Sequence, residues 1–345
     1  MANPYEDLPP RAFWKPAVGS RNFHDLSEVW SPRFGIGKEQ RIVTFGSCFA
    51  QHIGRALKQR GYAWFNAEEA PEGLSGGHDR DFNYGIFSAR TANIYTTSLL
   101  LQWTRWALGD VAPPDVQWSD NGRVIDPFRP MIEPGGFASA TEMLRSRQRA
   151  IGAFADCIRH AEVFVFTLGL TESWHDAEGQ FEYPMCPGTA GGDFDAARHV
   201  FRNQDYASVL RALDSAIGLM AAANARLRFI LTVSPVPLIA TMSGRHVMVA
   251  TMESKSILRA VAGHLAATRD TVDYFPSYEL ISSPVMRGTF FEPNQRSVNG
   301  HGVDFVMGHF FGAMESRSIA KDIQTSKTAD DVLCEEELLE SLGPS

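Results

Sequence analysis

Three short runs constrain this chain more than anything else in it: "RIVTFG" at 41–46, "EVFVFTLG" at 162–169 and "RFILTVSPVPL" at 228–238. Each is rich in β-branched and aromatic residues and is bounded by glycine or proline, which reads as a short buried strand. A weaker fourth, "VDYFPS", follows at 272–277. Between them lie segments of helical period: 48–60, 91–110, 141–160, 205–225 and 252–270, with a last one at 301–314. Strands alternating with helices predict an α/β fold, a mostly parallel sheet with helices on both faces. The 345 residues, 44% hydrophobic and 21% charged, suffice for one large domain of this kind.

The remaining organisation is irregular. Residues 1–38 read as an N-terminal arm rich in Pro, Trp and Arg, and 39–317 as the α/β domain. Residues 112–137 read as Pro-rich and irregular. Residues 173–204 form a long insertion whose lack of period suggests a functional loop or cap. From 318 to 345 the chain is a polar, acidic tail.

Composition narrows the function. The net charge of −8 and the lack of a basic block argue against a nucleic-acid partner. No window of about 18 apolar residues is present to span a membrane. The N-terminus has no apolar leader. The four cysteines, at 48, 157, 186 and 334, are too scattered for a disulfide framework. Free thiols in a reducing cytoplasm are the simplest reading. No metal set and no cofactor motif is found.

In open parallel sheets, ligands bind at the carboxyl ends of the strands. Gly46-Ser47-Cys48 ends the first strand, Gly169-Leu170-Thr171-Glu172 the second and Ser234-Pro235-Val236-Pro237 the third. At the first corner Gly46 allows a sharp turn. A cysteine at a helix N-terminus has its thiolate stabilised, and the unpaired N–H groups there can hold an oxyanion. The plain alternative makes Ser47 a helix cap and Cys48 a small buried apolar residue. His52 lies one helical turn from Cys48, and His175, His199 and His246 lie beyond strand ends, where a general base belongs. Taken alone, each is more often a packing or loop residue than a base.

"FGSCFAQHIG", "NYGIFSARTANIYT", "FTLGLTESW", "YPMCPG", "LTVSPVPL", "HVMVATMESKSILRAV", "DYFPSYEL" and "GVDFVMGHFF" occur in that order across roughly residues 40–315. Together they resemble the GSCFA domain family, which is itself similar to the SGNH/GDSL hydrolases. That resemblance implies a flavodoxin-like three-layer α/β/α sandwich. It also implies a nucleophile in a Gly-Asp-Ser corner, oxyanion donors from two later blocks, and a late Asp-x-x-His. Laid on this pattern, Cys48 takes the nucleophile position and Ser47 that of the aspartate. Asn83, Gly85 and Ser88 fall in the second block. Gly169, Thr171 and Glu172 fall in the third. The late dyad departs from the pattern, with Asn294 and Ser297 where Asp and His are expected. His246 or His301 would then be the base. The implied activity is acyl-ester hydrolysis or acyl transfer on a glycan or other small acylated molecule. The rival expectations are a catalytically silent module that binds a glycan or protein, and a thiol redox sensor at Cys48.

Overall fold

The computed structural model describes residue 5 and residues 8–74 and 78–315. The acidic tail therefore lies outside the described residues. The chain divides into two compact units. Among the described residues, the larger comprises those within 37–274, and the smaller combines those up to 36 with 275–315.

In chain order the larger unit contains β1 (Ile42–Gly46), α1 (Phe49–Gln59), α2 (Thr97–Leu108), β2 (Trp118–Asp120), β3 (Arg123–Ile125) and α3 (Ala140–His160). There follow β4 (Val163–Leu168), β5 (Glu172–Asp176), β6 (Glu182–Tyr183), β7 (His199–Asn203) and α4 (Tyr206–Ala223). The unit closes with β8 (Arg228–Val233), α5 (Val247–Thr268) and β9 (Val272–Tyr274). Among the described residues the smaller unit has four short helical turns, Pro10–Ala12, Lys15–Gly19, Phe23–Asp25 and Pro284–Met286, together with α6 (Ser277–Ser282) and α7 (Gly300–Glu315). Its core stacks Trp30 on Phe310, with Phe275 edge-on to both.

The central sheet is parallel, in the order β1-β4-β8-β9. A single parallel bridge, Ile42 to Trp64, adds a rudimentary fifth position beside β1. There the Ile42 N–H donates to Ala63 O at 3.0 Å and the Phe65 N–H to Ile42 O at 2.8 Å. Counting that segment as the second strand in sequence gives the flavodoxin-like order 2-1-3-4-5. The order reverses between β1 and β4, which makes the carboxyl ends of these two strands the topological switch point. Right-handed crossovers then place α1 on one face and α3, α4 and α5 on the other, a three-layer α/β/α arrangement. Both faces are covered, so β1 and β4 are buried along their whole length. Phe45 of β1 meets Phe154 of α3 edge-on at 4.7 Å and stacks on Phe164 of β4 at 5.2 Å.

Four sequence expectations change. The run at 91–110 becomes helical only at Thr97, because the Thr96 hydroxyl accepts the Leu99 N–H at 3.1 Å and caps α2. Residues 112–137 are not wholly irregular: β2 and β3 form a hairpin around Asn121-Gly122, both at positive φ, as a type I′ turn requires. The insertion at 173–204 is built around a second, antiparallel sheet, β6-β5-β7. α5 also starts five residues before the expected 252, because the His246 side chain caps it.

Candidate active site

β1 ends on Gly46 at φ +127°, a conformation that L side chains rarely adopt. A Cβ there would stand 2.2 Å from Thr167 O on β4, so glycine is required. The next residue crosses to the neighbouring strand, the Ser47 N–H donating to Thr167 O at 3.0 Å. Cys48 then takes helical angles as the N-cap of α1, and no side chain caps that helix. Ser47 therefore does not serve as the cap. Its hydroxyl is buried and has no hydrogen-bond partner. An unpaired buried hydroxyl costs about 1–3 kcal/mol, so its retention at this corner calls for a reason.

Ser47 and Cys48 line a small crevice with Tyr95, Gly169, Leu170, Ser234, Val236, Pro237, Leu238 and Lys255. All of these belong to the larger unit, and the crevice opens at the switch point. Three segments build its walls. The stretch before α2 runs along the top of β1, with the Ile94 N–H donating to Gly46 O at 2.8 Å. Tyr95 O then accepts the N–H groups of Gly169 (3.0 Å) and Leu170 (3.2 Å), joining this stretch to the turn after β4. Gly169 is closely packed there: a Cβ would lie 2.9 Å from Tyr95 O and 3.2 Å from Ser47 Cβ. The turn after β8 supplies Ser234, whose N–H donates to Leu168 O at 2.9 Å.

α5 forms the third wall. Lys255 is 2% exposed, beside Ser47 at 3% and Cys48 at 6%. Its Nζ donates to Gly169 O at 2.6 Å. One residue earlier, the Ser254 hydroxyl accepts the Thr171 N–H at 3.1 Å. The lysine thus brings an amine to the carbonyl of a glycine that packs on Ser47. Among the described lining residues it alone carries an amine.

The other expected site residues lie elsewhere in the structure. Asn83 donates through Nδ2 to Met131 O and Ile132 O, at 3.1 and 3.2 Å. Gly85 O accepts from Lys58 Nζ at 2.8 Å. The Ser88 hydroxyl accepts the Thr44 N–H at 3.1 Å. These three tie a loop to its surroundings and do not line the crevice, where Tyr95 stands instead. The Thr171 hydroxyl donates to Asn203 Oδ1 at 2.7 Å. The Glu172 carboxylate accepts from the Thr241 hydroxyl and from the Met242 N–H. His246 is exposed, and its Nδ1 accepts the Met248 N–H at 3.2 Å. His301 belongs to the smaller unit, its ring against those of His24 and Phe290. The His52 ring packs on Phe49, and burial, with Arg55 nearby, lowers its pKa to about 4. Among the described residues, no group of three or more His, Cys, Asp or Glu is placed to hold a metal.

Sequence reasoning missed Tyr95 and Lys255. Tyr95 was hidden in a run read as helix. Lys255 carried a usable signal: it shares the stripe of Leu258, Ala262 and Leu265, all buried. A lysine in an apolar stripe rarely lacks a buried partner or a function.

No helix of the described residues is long and apolar enough to cross a membrane. The family model described as the GSCFA family matches residues 41–310. No curated protein and no solved structure matches the chain. With most of its length matched, the chain belongs to the GSCFA family.

Proposed function

We propose that this member of the GSCFA family is an acyl-ester hydrolase or acyltransferase of SGNH/GDSL type, working through Cys48. The observation that carries the reading is the buried, partnerless Ser47 hydroxyl in the same crevice as Cys48 and Lys255. A substrate carbonyl oxygen would supply the partner the hydroxyl lacks. The flavodoxin-like strand order and the position at the switch point support the same reading.

In this mechanism Lys255 takes the proton of the Cys48 thiol, and the sulfur attacks the acyl carbonyl carbon. The tetrahedral oxyanion is held by the Ser47 hydroxyl and the positive end of α1. The ester C–O bond breaks, and Lys255 returns its proton to the leaving alkoxide. Water, or an acceptor hydroxyl in transfer, then attacks the thioester. The C–S bond breaks and the thiol recovers its proton through Lys255. Lysine thus fills the place that the sequence pattern reserves for a histidine, a role that buried lysines perform elsewhere. An acylated glycan remains the substrate class the family resemblance favours.

One observation favours a second reading, a catalytically silent binding module. None of the described residues lining the crevice is a histidine. Hydrolysis of acyl esters by the wild type, Cys48→Ala and Ser47→Ala separates the two. The catalytic reading predicts loss of turnover in Cys48→Ala and at least tenfold loss in Ser47→Ala. Equal rates in all three proteins would sink it.

A further inference from the structure

The crevice is small, and one of its walls continues into an unusual surface. Met242, Met248 and Met252 are 63%, 68% and 60% exposed. Such exposure is rare for so apolar a side chain, and Met248 and Met252 stand one turn apart on the same helix face. Met248 and Met252 lie on α5, the helix that brings Lys255 into the crevice. At 100° per residue, positions 248 and 255 point almost the same way, and 251 and 252 lie within the same sector. Met248 stands about 10 Å along the axis from Lys255, at 1.5 Å per residue.

The stripe that ends in the crevice therefore begins in solvent. Thr251, within that sector, accepts the N–H of crevice residue Leu238 at 3.2 Å. α5 follows β8 and runs back along the sheet toward β9, so its first turns stand above the strand ends. Met242 joins the same side, since its N–H is held by Glu172 just beyond the Gly169–Thr171 turn. The crevice lining is itself apolar at Val236, Pro237 and Leu238.

We infer that this methionine track binds the aliphatic chain of the acyl group whose carbonyl reaches Cys48, so that the favoured substrates carry medium or long acyl chains. The inference rests on the acyl-transfer reading for its chemistry. The crevice has room for the carbonyl end alone, and the rest of a longer chain must leave over its mouth. Unbranched, polarisable methionine suits a ligand of variable length. A polar sugar or acetyl group gains nothing from such a surface.

The test uses 4-nitrophenyl esters from acetyl to dodecanoyl, kept below their micellar concentrations. It compares the full-length wild type with the double variant Met248→Ser/Met252→Ser. Each methylene taken fully from water is worth up to about fourfold. The wild type should therefore favour octanoyl over acetyl by tenfold or more in kcat/KM, and the double variant should lower that ratio about tenfold. A wild type that prefers acetyl, or a ratio unchanged in the variant, overturns the inference while leaving the esterase reading intact. Should no ester of any length turn over, that reading fails, and calorimetric titration with decanoate decides the track by itself. Binding that weakens about tenfold in the double variant supports it, and no binding overturns it. Sedimentation covers the other occupant: a wild-type dimer that the double substitution dissociates would assign the patch to a second copy of the chain.

Discussion

Replacing Glu182 by glutamine should remove one component of the chain's pH response in a defined window. Glu182 lies on β6, buried, with its carboxylate accepting from the hydroxyls of Thr96 and Ser98. Its backbone is clasped by Gln102, which donates to Glu182 O at 3.0 Å and accepts its N–H at 2.7 Å. Among the described residues no Lys or Arg forms an ion pair with it, although the charge of Arg202 nearby lowers its pKa somewhat. His175 Nε2 is 3.9 Å away, but burial, with Arg202 nearby, lowers that ring's pKa to about 4, so it is neutral over most of the range of interest and charges only at its acid end. Burial raises the Glu182 pKa from 4.5 to about 7, against the opposing hydroxyl hydrogen bonds.

Between these two values the folded protein holds a proton that the unfolded chain has released. Stability from this group is therefore fully present below pH 4.5 and falls as pH rises toward 7. At 1.36 kcal/mol per pKa unit the loss is about 3 kcal/mol, as an order of magnitude. Glutamine keeps an acceptor for Thr96 and a donor for Ser98 without the charge. Urea denaturation from pH 4 to pH 8, read as the difference between Glu182→Gln and wild type, isolates the group. The variant should match the wild type near pH 4 and exceed it by about 3 kcal/mol at pH 8. A difference that stays constant over this range would refute the reasoning.

Two further outcomes follow from the same kind of argument. Asp126 is buried between Arg129 and Arg147, at 2.8 Å from each. Burial alone would raise its pKa, but the two guanidinium groups hold it below 3.8. Asp126→Asn should cost about 3–5 kcal/mol at neutral pH. The deficit should shrink as pH falls through the folded pKa, because the wild type then loses the same charge; thermal melts across pH 2–7 check this. Gly46→Ala drives a Cβ to within 2.2 Å of the Thr167 carbonyl, so the protein should lose its cooperative melt or fall several kcal/mol in stability. Gly61→Ala also sits at positive φ but has open space, and should lose only about 1–2 kcal/mol by the same assay.

The layers of the fold were legible because their signals are local. β1, β4 and β8 each declare themselves within six residues by β-branched and aromatic content, and α3 and α4 by apolar period. The hairpin at 118–125 was legible too, since "DNGR" is the turn signal its geometry demands, but a proline-rich context obscured it. The rudimentary strand at 62–65 was not, because one bridge leaves no sequence period. At the site, the Gly46-Ser47-Cys48 corner could be read since strand, turn and helix are contiguous. The rest of the crevice is non-local. Tyr95 arrives from a stretch that only its bonds to Gly46, Gly169 and Leu170 define. Lys255 arrives two turns into a helix, where its burial depends on what α5 packs against. Asn83 and Ser88, aligned by pattern, spend their polar groups on neighbouring backbone, and the Gly85 carbonyl is taken by the Lys58 amine. Pattern fixes order along the chain, and hydrogen-bond geometry decides what faces the crevice.

The most direct test of the central claim is covalent labelling by an acyl electrophile, followed by peptide mapping of the cysteines. Burial raises the Cys186 pKa to about 11, and burial, with Asp156 nearby, raises that of Cys157 well above the ordinary thiol value. Both should stay unmodified at neutral pH. Cys48 should carry the acyl group as a thioester, and Lys255→Met should slow that labelling at least tenfold. Labelling confined to other cysteines, or Cys48 labelling unaffected by Lys255→Met, would contradict a crevice in which the lysine works the thiol.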